Sequence, residues 1–72
     1  MTETATRIDI VLNGVPIATG ARTLAVLIAE AGYGDARVAT AVNGEFVAAG
    51  LRAGTRLRAG DHVEIVSPRQ GG

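Results

Sequence analysis

The chain has no cysteine, and so neither disulfides nor thiolate metal sites are available to it. Its one histidine cannot assemble a zinc centre from the usual ligand sets. Tryptophan is absent too, and the aromatic residues are two, Tyr33 and Phe46. A single domain of this size hides only about 60–65% of its unfolded surface. Small domains are commonly stapled by disulfides or metals, so Val, Ile, Leu and Ala have to hold this core alone. No apolar run approaches the ~18–20 residues of a membrane span, and the N-terminal stretch lacks the pattern of a secretory leader. Cysteine-free composition fits a reducing compartment. The expectation is a soluble, cytoplasmic protein with no membrane partner.

Charge of one sign is also missing. Seven acidic and seven basic residues cancel, and they are interspersed. Nothing forms the basic stripe that phosphate-backbone binding requires, so nucleic acid is not an expected partner. All the basic residues are arginines and none is lysine. In a chain this rich in Ala, Gly and Arg, that bias fits a GC-rich coding sequence.

What is present reads as short strands around one helix. In residues 7–12, Ile8, Ile10 and Leu12 alternate with Arg7, Asp9 and Val11, the pattern of a half-buried strand. Asn13-Gly14 follows, a hairpin signal because both central residues of a type I′ turn need positive φ. Residues 15–18 return as a second strand, which Pro16 restricts to an edge or a non-donating position. Thr23 is a candidate N-cap for a helix over residues 24–31, with Leu24, Leu27, Ile28 and Ala31 on one stripe and Val26 beside it. Gly32 fits the position just past its end, and Tyr33 would cover that end.

A third strand is expected over residues 38–42, a second tight turn at Asn43-Gly44, and a fourth strand over residues 45–48. Residues 49–60 are punctuated by Gly50, Gly54 and Gly60, with Leu51 and Leu57 as inward plugs. Gly60-Asp61 then turns the chain into a last strand over residues 62–67, where Val63 and Ile65 alternate with Glu64 and Pro68 ends the run. One helix covers one face of such a sheet, which makes the fold α+β. If the first and last strands pair centrally, the sheet is mixed.

The chain closes on Ser67-Pro68-Arg69-Gln70-Gly71-Gly72. Glycine has no Cβ, so the last two residues could thread a narrow channel. An α-carboxylate with a pKa of about 3.3–3.7 is ionised at neutral pH and can attack an activated phosphate. By composition alone such an ending arises about once in fifty chains, so the rest of the sequence has to support it.

It does so through three strings in order: Val38-Ala39-Thr40-Ala41-Val42-Asn43-Gly44-Glu45-Phe46-Val47, then Ala59-Gly60-Asp61-His62-Val63-Glu64-Ile65-Val66-Ser67-Pro68, then Gly71-Gly72. Together they resemble the sulfur carrier proteins of thiamine biosynthesis, a family with the ubiquitin-like β-grasp fold. The resemblance covers nearly the whole chain from Arg7 onward. It implies a single domain over residues 1–72, with a mixed sheet of four to five strands on one main helix and a flexible tail over residues 67–72. It also implies that the protein is a co-substrate and carrier, with no bound cofactor. ATP would be consumed by an E1-like adenylating enzyme acting on the Gly72 carboxylate. A cysteine desulfurase or rhodanese-like donor would supply sulfur to make a thiocarboxylate, and thiazole synthase would take it. Gly71 would be the slender spacer, and Gln70, Arg69 and Pro68 would set how the tail leaves the fold. The small subunit of molybdopterin synthase, a sulfur carrier for cysteine synthesis and a ubiquitin-like modifier are alternatives using the same kind of tail. A non-covalent β-grasp binding domain is the alternative of another class. The family often has Pro-Arg and a Trp after the second hairpin. This chain has Val47-Ala48-Ala49-Gly50-Leu51-Arg52 instead, which leaves Arg52 as the candidate replacement for the basic residue.

Other constellations read as structural. His62 beside Asp61 fits a solvated strand start, and Asp61 fits a turn former. Glu45 and Glu64 would be paired carboxylates only if their strands met. Gly50 to Gly60 lacks the lysine and the strand–helix context of a phosphate loop. Ser67 has no base to make it a nucleophile. For docking a partner, alternation offers Val11, Phe46 and Val66 on the outer face, with Arg69 and Arg52 as charges that could steer it. Against that, Phe46 is one of only two aromatics and is expected in the core of so small a domain.

Overall fold

Asn13 and Gly14 have φ of 49° and 82°, and Asn43 and Gly44 have φ of 52° and 84°. This is the left-handed pair that a type I′ turn needs, and each pair closes a two-residue hairpin. The computed structural model describes residues 7–33 and 37–67. In it, β1 (Ile8–Leu12) pairs antiparallel with β2 (Val15–Thr19), and β3 (Ala39–Val42) with β4 (Glu45–Val47). The last strand, β5 (His62–Val66), lies between the hairpins, parallel to β1 and antiparallel to β3. The sheet order is β2-β1-β5-β3-β4, a mixed five-stranded sheet as expected. Pro16 falls on the edge strand β2, opposite Val11, where a residue without an N–H is tolerated.

The helix α1 spans Leu24–Glu30. The Thr23 hydroxyl accepts from the Val26 N–H at 3.3 Å, satisfying one of the free donors of the first turn. At the other end Gly32 N–H donates to Ala29 O and Tyr33 N–H to Ile28 O. These are the two bonds of a Schellman motif, and Gly32 supplies the φ of 91° that the motif needs. Tyr33 then packs against the core, as a residue in that position commonly does. Ala31 is the exposed C-cap and lies outside the buried stripe, which consists of Leu24, Leu27 and Ile28.

The core forms where that stripe meets Ile10 of β1 and Val63 and Ile65 of β5, with Ala21 and Leu57 closing its rim. Each fully buried aliphatic side chain contributes about 1.5–3 kcal/mol. Two buried hydroxyls sit among them, and both are satisfied. Thr19 Oγ1 accepts from Ala21 N and donates to Glu30 Oε1, each at 3.0 Å. Thr40 Oγ1 donates to Val47 O at 2.7 Å.

The glycine-punctuated stretch contains a short 3-10 helix, Ala49–Gly54, which the sequence reading did not expect. Leu57 is buried as expected, but Leu51 is 65% exposed. Leu57 gains its place because residues 55–57 run extended beside residues 22–24. Leu24 N–H donates to Thr55 O, Leu57 N–H donates to Arg22 O, and Thr23 and Arg56 form a bridge between them. Leu51 lies on a helical turn outside that pairing and faces solvent. The next turn brings the chain to β5. Asp61 N–H donates to Arg58 O, Gly60 has a φ of 91°, and Asp61 Oδ2 accepts from Arg58 N–H at 2.8 Å.

Candidate functional site

The expected site is the tail. Pro68, Arg69, Gln70, Gly71 and Gly72 lie outside the described residues. The base from which the tail departs is described as far as Ser67. That base is the end of β5, the central strand of five.

Its two sides are held differently. On the β3 side, main-chain pairing runs to Ala39 opposite Val66. On the β1 side the register stops at Leu12 opposite Val63, because the chain must turn away at Asn13. Asn13 N–H still reaches Val63 O at 2.9 Å. Beyond it, the Asn13 carboxamide takes over as a partner for β5. Its Oδ1 accepts from Ile65 N–H at 2.8 Å and its Nδ2 donates to Ile65 O at 3.1 Å. Composition and spacing mark Asn13 only as a turn former. This second role appears once the pairing of β1 with β5 is known.

Arg52 works on the opposite flank of the base. Its Nη2 donates to Val38 O at 2.7 Å and its Nε to Thr40 Oγ1 at 3.0 Å. The guanidinium therefore ties the 3-10 segment to the start of β3. As a charge for steering a partner it is already engaged in holding the fold.

The three outer-face candidates all point away from α1, but they do not form one cluster. Val66 lies opposite Ala39, and Phe46 lies opposite Ala41. These four make an apolar strip beside the base of the tail, with the exposed Glu64 of β5 next to Ala41 on the same face. Val11 sits against His62 at the far end of β5 and is half-buried. The expectation that Phe46 enters the core is overturned, because its side chain is 72% exposed. The reason is register. Val47 pairs with the inward-facing Thr40, so its neighbour Phe46 must face out with Ala41.

His62 is exposed, and its N–H donates to Asn43 Oδ1 at 2.9 Å. Asn43 Nδ2 donates to Asp61 Oδ1, which confirms a turn role for both residues. Glu45 and Glu64 are kept apart by β3, so they are not a carboxylate pair. Among the described residues, no group of three or more His, Cys, Asp or Glu could hold a metal, and no helix is long and apolar enough to cross a membrane.

The model of the ThiS family matches residues 10–72. The chain belongs to the ThiS family. The match takes in the core, the base at β5 and the Gly71-Gly72 ending together. Among solved structures, the chain is similar to a thiamine biosynthesis protein (ThiS) from Geobacter metallireducens. The identity is 26% and the TM-score 0.75, over 90% of this chain and 100% of that one. No curated protein matches the chain. The mixed sheet on one helix is therefore the ubiquitin-like β-grasp fold of this family.

Proposed function

We propose that the protein is the sulfur carrier for thiamine thiazole formation, acting in the cytoplasm as a co-substrate with Gly72 as the residue that carries sulfur. The observation behind this reading is the family match, which spans residues 10–72, from within β1 through Gly71-Gly72. An E1-like adenylating enzyme catalyses attack of a Gly72 carboxylate oxygen on the α-phosphorus of ATP, and pyrophosphate leaves. The terminal sulfur of a persulfide, on a cysteine desulfurase or rhodanese-like donor, then attacks the acyl carbon and expels AMP. A thiol reduces the resulting acyl disulfide and releases the thiocarboxylate. Thiazole synthase takes the sulfur from it. No residue of this chain needs to act as acid, base or nucleophile beyond the carboxylate itself.

The other tail residues have presenting roles in this scheme. Proline fixes φ, so Pro68 stiffens the departure of the tail and lowers the entropy lost when a partner receives it. Arg69 offers a charge to an acidic partner, Gln70 a polar contact, and Gly71 a slender approach to a channel. For docking of the body, Phe46 and Val66 are the principal outer-face contacts because their strip adjoins the tail. Val11 would extend the contact across His62.

Intact-mass measurement tests the reading. The protein is incubated with ATP, cysteine, a cysteine desulfurase and the activating enzyme. The expected product gains the mass of one sulfur exchanged for one oxygen, mapped to Gly72. A variant with one alanine appended after Gly72 should fold and show no gain. Sulfur loading of that variant, or no loading of the wild type by an activating enzyme competent on its own substrate, would overturn the reading.

A further inference from the structure

We propose that Asn13 is a positioning residue for the tail, its carboxamide fixing the direction in which β5 delivers Gly72 to the activating enzyme. This inference rests on the sulfur-carrier reading above. The two flanks of β5 are not held alike. The strand continues past Val63, but β1 does not follow it, since Leu12 is the last β1 residue in register. Ile65 is 3% exposed, and the bonds that reach its N–H and C=O on the β1 side are part-buried, so leaving those groups unpaired would cost free energy. The Asn13 carboxamide supplies an acceptor to that N–H and a donor to that C=O. In effect the side chain extends β1 by one peptide after the main chain has turned away.

Few residues could do this. The φ of 49° at position 13 favours Gly, Asn or Asp. Glycine has no side chain to bond with, and an aspartate offers acceptors only. Asparagine alone combines the turn conformation with a paired donor and acceptor. The second hairpin provides an internal control. Asn43 occupies the same position of the same turn type, with a φ of 52°. Its carboxamide bonds to His62 N–H and Asp61 Oδ1, at the start of β5. The two asparagines thus staple the two ends of one strand, and only Asn13 is next to the tail.

A change of direction at Ile65 is carried into Val66 and Ser67, the residues from which the tail departs. A misplacement of about 1 Å can cost a reaction roughly a hundredfold in rate.

The test compares Asn13→Gly with Asn43→Gly, since glycine keeps both type I′ turns and removes only the carboxamide. Adenylation of Gly72 by the activating enzyme is followed as pyrophosphate release. Asn13→Gly should lower kcat by roughly tenfold with KM within about twofold, because the tail is misdirected while the docking face is intact. Asn43→Gly should leave kcat within about twofold. Equal kcat values, or equal losses, for the two variants would overturn the proposal. Asn13→Asp, which keeps the acceptor for Ile65 N–H, should fall between wild type and Asn13→Gly, and it replaces Asn13→Gly if that variant does not fold. Nitrogen-15 relaxation at Val66 and Ser67 is read in parallel on the free protein. Asn13→Gly should lower their order parameters and Asn43→Gly should not, and unchanged values in Asn13→Gly would sink the proposal whatever the kinetics. Failure of the wild type to be adenylated by a competent enzyme would instead overturn the sulfur-carrier reading, and the relaxation data would then decide for or against Asn13.

Discussion

Under α1, the inward residues of the central strands are Ile10, Thr40, Val63 and Ile65, and all four are buried. On the other face of the same strands, Val11, Ala41, Glu64 and Val66 point away, and Phe46 and Val66 are 72% and 58% exposed. The strands alternate in the same way on both faces. What separates the faces is the helix, which is only seven residues long and covers one side. A domain too small for two layers over its sheet keeps stability on one face and leaves the other free for contact.

Three substitutions sharpen this contrast, beginning with the largest effect. Leu24 is fully buried between the helix and the sheet. Leu24→Ala should cost about 2–5 kcal/mol. A domain of this length has about 4–11 kcal/mol in total, so urea unfolding should show roughly half of its stability gone. Retention of the wild-type midpoint would mean that the core does not depend on the helix stripe. Next, Arg52→Ala removes the partners of Val38 O and Thr40 Oγ1. It should cost about 1–3 kcal/mol, read as a lower midpoint with an unchanged slope. No loss would return Arg52 to the pool of charges available for steering. Finally, Phe46→Ser should change stability by no more than about 0.5 kcal/mol. It should nevertheless raise KM for the activating enzyme severalfold at unchanged kcat, the mark of lost uniform binding. A large loss of stability from Phe46→Ser would erase the distinction between the faces.

Most local structure was legible in the sequence because it depends on chemistry within a few residues. Both Asn-Gly turns, the Thr23 cap, the Gly32 stop, the five strands and α1 lie within one residue of expectation, whereas the 3-10 helix was not expected. Two misplacements have a common source. Phe46 sits on a three-residue strand, too short for alternation to declare its inward face. Only the pairing of Val47 with Thr40 decides it. Leu51 and Leu57 look equivalent between glycines, and the bridge between Thr23 and Arg56 distinguishes them. The bonds of Asn13 to Ile65 span 52 positions in the chain, a link that no local pattern announces. The proposed site rests on sequence alone, since its residues lie outside the described structure. The Gly-Gly ending and the family strings point to the tail, while the anchoring of its base is a property of sheet order.

That order has a mechanical consequence. The tail is joined to a strand with neighbours on both sides, one parallel and one antiparallel. A partner that drew on the tail would pull along β5. Hydrogen bonds on both flanks, including those of the Asn13 carboxamide, then share the load in shear. A tail continuing from β2 or β4 would instead peel an edge strand away one bond at a time. A load on this terminus would thus be met by both flanks of the central strand before any strand could peel.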